Sequence, residues 1–303
     1  MSAITLRQHK TIGFIGLGMM GSRMVHHLKD GANLIVLDAN AARSHEVAKA
    51  AGATEAGSVR DFKSADVVIL MLPNSAIIDE VVLGTDKSPG LIEVLQEGAL
   101  ILDMSSATPA NSIANARQAA KKGIAYVDAP VSGGPAGAES GKLAIMAGCE
   151  PEHFAVIEPL LNRLGANVIR AGDVGSGHAV KALNNLLAAT ILQATGEIFA
   201  AGEKFGLDPA VMQKVISASS GGSFMTSVTW PKAVLGHTWD FGFSLALMTK
   251  DVGIGMSIVN DAGIDAPLCK TNARIWDAAN SKGLGAKDMT HIAKMIRDEA
   301  GLA

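Results

Sequence analysis

A chain of 303 residues with 48% hydrophobic and 18% charged side chains is long enough for two cores and too apolar to be disordered. Its 26 basic and 29 acidic residues leave a formal charge of −3, so no basic surplus argues for nucleic acid as a partner. The two cysteines, Cys149 and Cys269, stand far apart in no metal-ligand spacing and read as buried thiols in a reducing compartment.

The opening residues MSAITLRQHK are too polar for a secretory leader. The longest uncharged helical stretch, Ala182 to Gly196, contains Asn184, Asn185 and Gln193 and falls short of a membrane span. A soluble cytoplasmic protein with no membrane partner is the expectation.

From Thr11 to about Arg170, short apolar runs alternate with helical patterns. TIGFIG, NLIVLD, DVVILML, ALILDM and IAYVD are brief, rich in Ile, Val and Leu, and bounded by Gly, Asp or Asn, as buried strands are. Helices are expected between them at Met19 to Lys29, Ala41 to Ala51, Ala76 to Leu83 and Pro109 to Lys122. This rhythm predicts an α/β fold with a doubly wound, mainly parallel sheet of the Rossmann type. KLAIMAG and NVIRAG, flanking a helix from Pro151 to Leu164, extend the sheet in a direction the pattern leaves open.

After Gly172, strand-like runs vanish and helical periodicity takes over. One long helix is expected over Ala179 to Phe205, followed by others at Pro209 to Ala218, Ser244 to Ala262, Pro267 to Lys282 and Met289 to Glu299. Gly206, Gly263 and Gly283 serve as stops, and Ser217 to Ser223 reads as a loop. The expected division is a dinucleotide-binding domain over 1–173 and an all-helical substrate and oligomerisation domain over 174–303. The long helix joins them and is suited to carrying residues to a cleft.

The run FIGLGMMGSRM places Gly16, Gly18 and Gly21 in the GxGxxG spacing between a strand and a helix, with Leu17, Met19 and Met20 completing the turn. The first glycine permits the tight turn, the second lets backbone approach a pyrophosphate, and the third allows close helix packing. Helix N–H groups then meet the phosphates. Asp38, about twenty residues after the first glycine, ends the second strand where a carboxylate accepts hydrogen bonds from the adenosine ribose and repels a 2′-phosphate. NAD is therefore favoured, with NADP not excluded because Arg43 is close by. Leu72, Pro73 and Asn74 stand where the DVVILML strand gives way to a loop, at a strand end that lines such a crevice.

Lys181 and Asn185 stand four residues apart in GSGHAVKALNNLL, so a helix would project an amine and an amide from one face. Nicotinamide-linked interconversion of an alcohol and a carbonyl needs a positioned acid or base beside the cofactor. Free lysine titrates near 10.4, and burial beside Val180, Leu183 and Leu187, or a second cation, would tune it downward. His178 is a second acid-base candidate, although a histidine near a helix start is more often structural. The loop PVSGGPAG offers the Ser132 hydroxyl and the N–H groups of Gly133 and Gly134 to a small carboxylate. Trp239, Phe241 and Phe243 either wall a cleft or pack the helical core, the second being the safer account.

Four blocks in order, FIGLGMMGSRM, DAPVSGGPAGAESGKLAIMAG, GSGHAVKALNN and FSLALMTKDVGIG, make the chain resemble the β-hydroxyacid dehydrogenase family, the group of 3-hydroxyisobutyrate dehydrogenase and tartronate semialdehyde reductase. The resemblance implies a Rossmann-type domain and an all-helical domain joined by a long helix, assembled as a homodimer or homotetramer. It implies Lys181 as the catalytic lysine with Asn185 beside it, and Ser132, Gly133 and Gly134 as the loop for a small carboxylic-acid substrate. Lys250 would lie near the nicotinamide, and Ser106, after the DMSS strand, would touch the cofactor. The expected reaction is NAD-linked oxidation of a 3-hydroxyisobutyrate-like acid to its semialdehyde, tartronate semialdehyde reduction being the nearest rival. The related imine reductases generally lack the lysine. 6-Phosphogluconate dehydrogenase is longer and carries histidine where this chain has Asn184. A non-catalytic dinucleotide-binding module would tend to lose Lys181.

Overall fold

A computed structural model describes residues 10–302. Residues 1–9, on which the expectation of a segment too polar for a secretory leader falls, lie outside the described residues. Contacts divide the chain into two compact units, Met1–Lys181 and Ala182–Ala303.

The first unit is built on one sheet of strands β1 (Thr11–Ile15), β2 (Asn33–Leu37), β3 (Thr54–Glu55), β4 (Val67–Leu70), β7 (Leu100–Asp103), β8 (Ala125–Asp128), β9 (Val131–Ser132), β10 (Leu143–Gly148) and β11 (Gly165–Gly172). A small hairpin of β5 (Gly84–Thr85) and β6 (Ser88–Pro89) stands apart from it. The strand order is β11-β10-β8-β7-β4-β1-β2-β3, and every pair from β3 to β8 is parallel. The direction left open by the sequence is now settled: β10 meets β8 and β9 antiparallel, and β11 runs parallel to β10.

Side chains alternate across the strands, so both faces must be covered. Phe14, Val36, Ile69, Leu102 and Val127 enter one core. Ile15, Ile35, Leu70, Ile101 and Tyr126 enter the other. The covering helices are α1 (Gly21–Met24), α2 (Ala41–Ala51), α3 (Ser75–Leu83), α4 (Leu91–Val94), α5 (Pro109–Ala120), α6 (Gly134–Ser140) and α7 (Pro151–Leu161). The helix expected over Met19 to Lys29 is α-helical only through Met24 and continues as a 3-10 turn, Val25–Leu28. Its β-branched valine and paired histidines are weak helix formers.

Helix α8 (Ser176–Phe205) runs 30 residues, and the boundary between the units falls inside it. The second unit continues with α9 (Pro209–Ser217), α10 (Leu245–Asp261), α11 (Pro267–Ala279) and α12 (His291–Glu299). A π-helical segment, Met225–Val234, was not expected from the sequence, because Pro231 and the β-branched TSVT run argue against helix. It forms because Trp230 is 1% exposed and packs its ring 4.5 Å from that of Phe199. Trp239, Phe241 and Phe243 pack partly buried against this same core, so packing is the role the structure gives them.

Candidate active site

Where strands β1, β2, β4, β7 and β8 end, the chain delivers one candidate group after another. After β1, Gly16 turns with a φ of 98°, a conformation that a side chain would strain. A Cβ on Gly21 would collide with the Gly16 carbonyl, whereas a Cβ on Gly18 would meet nothing within 4 Å. The turn is thus closed by its outer glycines and open at its middle one, as a bound pyrophosphate requires. A crevice of about 290 Å³ opens beside it, lined by Leu17, Gly18, Met19, Ser22, Arg43 and Glu46. Leu17 is buried and Met19 is 62% exposed. Arg23 braces this turn by donating to the Met19 carbonyl at 2.6 Å and pairing with Glu139. Met20 is half-buried against the core.

Asp38, just past β2, uses both carboxylate oxygens. Oδ2 accepts from the Leu17 N–H at 2.7 Å and Oδ1 from the Asn40 N–H at 2.8 Å. The second bond is an Asx turn, but the cap of α2 is Asn40, whose side chain accepts from the Arg43 N–H. Asp38 therefore ties the glycine turn to the end of β2.

The loops after β4 and β7 are locked together. The Leu72 N–H donates to Ser105 Oγ at 2.9 Å, and the Ser105 N–H donates to Asp103 Oδ1 at 3.0 Å. The Tyr126 hydroxyl donates to Asp103 Oδ2 at 2.7 Å, and burial followed by the Asp103 charge raises that phenol well above its usual range. Asn74 is committed to capping α3, its side chain accepting from the Ile77 N–H at 3.0 Å. Pro73 is exposed, and Ser106 is half-buried next to the committed Ser105.

After β8 the chain reverses into Ser132, half-buried on β9, and then Gly133 and Gly134 at φ of 128° and 61°. Asp128, at the end of β8 and fully buried, accepts from the Gly175 N–H at 2.7 Å and the His178 N–H at 2.8 Å. It satisfies the N–H groups that a helix start leaves unpaired. Burial raises its carboxyl, with His178 and those two N–H bonds opposing.

Lys181 follows in the second turn of α8 and is half-buried. One expectation fails here: Val180, Leu183 and Leu187 are 43%, 40% and 61% exposed. Asn185 is buried, donating to Asp251 Oδ2 at 2.6 Å while accepting from Asn184 at 3.1 Å. Lys250 pairs with the same carboxylate, its Nζ 3.4 Å from Asp251 Oδ1. The acid of this ion pair is buried, since Asp251 is 2% exposed.

Two family models match in tandem. Residues 11–172 match the NAD-binding domain of 6-phosphogluconate dehydrogenase, and residues 175–296 match the model described as NAD-binding of NADP-dependent 3-hydroxyisobutyrate dehydrogenase. The chain is 35% identical over 294 residues to 2-(hydroxymethyl)glutarate dehydrogenase of Eubacterium barkeri, covering 96% of each. It is 32% identical to the mitochondrial 3-hydroxyisobutyrate dehydrogenase of Mus musculus, over 95% of this chain and 87% of that one. The chain belongs to the β-hydroxyacid dehydrogenase family. The fold agrees: a structure of Mycobacterium tuberculosis 3-hydroxyisobutyrate dehydrogenase with L-serine superposes with a TM-score of 0.86 at 29% identity, covering 96% of this chain and 100% of that one.

As a β-hydroxyacid dehydrogenase, the chain is an NAD(P)-dependent oxidoreductase acting on the hydroxyl group of hydroxy acids. The open position at Gly18 and the carboxylate at the end of β2 fit a dinucleotide. Among the described residues, no helix is long and apolar enough to cross a membrane, and no group of acidic, histidine or cysteine residues could hold a metal ion. Cys149 is buried as expected, its thiol pushed up to about 12 by burial, whereas Cys269 is only half-buried.

Sequence reasoning missed buried polar groups near the expected residues: Asp103, Ser105, Ser112, Tyr126 and Asp128 in the first unit, and Asp251 in the second. A signal existed for three of them. Ser105 stands beside Ser106, Asp128 opens the DAPVSGG block, and Asp251 follows Lys250. Nothing in the local pattern marks Tyr126 or Ser112, which acquire partners only across the fold.

Proposed function

We propose that the protein interconverts a small 3-hydroxy acid and its semialdehyde using NAD(H), with Lys181 as the proton-transferring group. The observation carrying this reading is the convergence at the carboxyl ends of parallel strands. The glycine turn follows β1, Asp38 follows β2, Leu72 to Asn74 follow β4, and Ser106 follows β7. Asp128 at the end of β8 anchors the helix that bears Lys181. Ligands of open α/β sheets bind outside these ends, at the switch point between β1 and β4.

A bound nicotinamide would supply the hydride acceptor for the alcohol and the hydride donor for the carbonyl. The protein supplies the rest. Ser132 and the N–H groups of Gly133 and Gly134 grip the substrate carboxylate. Lys181 takes the hydroxyl proton in oxidation and returns it to the carbonyl oxygen in reduction. Within the second unit, we assign Lys250 to meet substrate charge, with Asn185 and Asp251 as the pair that holds it. The carboxylate of Asp38 favours NAD over NADP, since a 2′-phosphate would meet a negative charge. Residues 1–173 are assigned to dinucleotide binding and 174–303 to substrate binding and assembly.

A cytoplasmic homodimer or homotetramer is the matching form. Leu187, Ile198 and Phe205 on α8 are 61%, 59% and 84% exposed, an apolar row suited to a second copy. Sedimentation velocity showing only monomer would remove this part.

The test is a set of initial rates with NAD and NADP on L-serine, 3-hydroxyisobutyrate, 2-(hydroxymethyl)glutarate and glycerate, the last being the reduction product of tartronate semialdehyde. Turnover of at least one acid, with higher kcat/KM for NAD, is expected. Lys181→Ala should lower kcat by about 10²- to 10⁴-fold and leave NADH binding intact. A Lys181→Ala enzyme with ordinary turnover would overturn the assignment.

A further inference from the structure

His178 stands three residues before Lys181 in the first turn of α8 and is 1% exposed. Its Nε2 lies 3.1 Å from the Ser105 carbonyl oxygen and its Nδ1 2.7 Å from the Ser112 hydroxyl. A carbonyl only accepts, so Nε2 carries a proton and donates it, which fixes the ring's orientation. The Ser112 hydroxyl is 3.4 Å from the Thr108 carbonyl, so its close contact is with the imidazole. The backbone N–H of His178 is bound in turn to Asp128 Oδ2.

One residue therefore touches three pieces of the first unit: its ring meets the loop after β7 through Ser105 and helix α5 through Ser112, and its backbone N–H meets Asp128 at the end of β8. Both ring nitrogens are occupied and the ring is sealed from solvent, which leaves no path for proton exchange with a substrate. The start of α8 is also tight against the sheet. A Cβ on Gly177 would collide with the carbonyl oxygens of Met146 and Asp128, so the helix seats backbone against backbone. A helix seated in this way has little freedom to slide, and its rotation about the axis is set by whatever side chain reaches sideways.

We propose that His178 is the positioning residue for Lys181, bolting the first turn of α8 to the Ser105–Ser106 segment so that the amine and the loop after β7 keep one spacing. The inference rests on Lys181 being the proton-transferring group. Near-attack geometry is demanding, and a displacement of about 1 Å costs on the order of 10²-fold in rate. Loss of the Ser105 tie should therefore reach turnover through Lys181.

The experiment uses the full chain with NAD and whichever of the four acids above it oxidises fastest. His178→Gln keeps an amide donor at the Nε2 position, whereas His178→Asn retracts it to the Nδ1 position. His178→Asn should lose about 10- to 100-fold in kcat, with the limbs of the pH profile unmoved, and His178→Gln should recover most of it. In the free protein, amide hydrogen exchange across residues 174–182 should be faster in the Asn variant than in the Gln variant. In a Lys181→Ala background, His178→Asn should cost nothing further.

Normal kcat in His178→Asn, additive losses in the double variant, or disappearance of one pH limb would each overturn the proposal. Ordinary turnover in Lys181→Ala alone, or no oxidation of any of the four acids, would instead sink the proposed function. If the His178 variants fail to fold, Ser112→Ala decides. It should lower kcat several-fold and speed exchange over 174–182, and wild-type behaviour on both counts would refute the idea.

Discussion

Replacing Asn185 with alanine separates a structural amide from a substrate ligand. Asn185 donates to Asp251 Oδ2 at 2.6 Å, and that carboxylate is 2% exposed. The remaining partner, Lys250, is 3.4 Å from Oδ1, beyond the length of a strong charged hydrogen bond. Truncation thus removes a bond to a charged acceptor worth about 1.5–3 kcal/mol and leaves a buried oxygen unsatisfied. At about 2–4 °C per kcal/mol for a chain of this class, the melting temperature should fall by roughly 3–12 °C. Thermal unfolding of Asn185→Ala, Asp251→Ala and the double variant is the assay. The two losses should be less than additive, because each single change breaks the same bond. An Asn185→Ala protein that melts like the parent and shows only a raised KM for the acid would refute this account. It would make the amide a substrate ligand.

Two further predictions come from the glycine turn and from a half-buried imidazole. Gly18→Ala has open space for its Cβ and should melt normally while raising KM for NAD, whereas Gly21→Ala drives a methyl into the Gly16 carbonyl and should lose about 1–3 kcal/mol of stability. The reverse ranking in paired melting and kinetic measurements would show that the turn is not shaped as described. The pKa of His291 is lowered chiefly by burial, so the unfolded chain binds its proton more readily. Stability from this group is full above about pH 6.5 and is lost as pH falls from there toward the folded value. His291→Gln should therefore lose less melting temperature between pH 8 and pH 5.5 than the parent does. Equal losses in the two proteins would dismiss the effect.

Much of the first unit is legible because its strands are buried on both faces. Such strands must carry short continuous apolar runs, and LIVL, VVIL, LIL and AYV within β2, β4, β7 and β8 are such runs. The stops at Gly206, Gly263 and Gly283 are legible for a different reason: each takes a positive φ that few other residues tolerate. The direction of β10 was hidden, since an apolar run reads the same in either sense and only the reversal through β9 sets it. The segment Met225–Val234 was hidden because its local preferences oppose the helix that Trp230 and Phe199 stabilise from a distance.

The order of residues alone determined the rhythm of strand and helix, the glycine turn after β1, and the placing of Lys181 and Asn185 on one helix face. These follow from periodicities and backbone limits that act over a few neighbours. Only the folded chain decided which polar groups are already spent, as Asn185 is on Asp251, Ser105 on Leu72 and His178 on Ser105 and Ser112. Hydrogen bonds between segments tens of residues apart leave no trace in local spacing, because the partner is chosen by packing, and packing exists only in three dimensions.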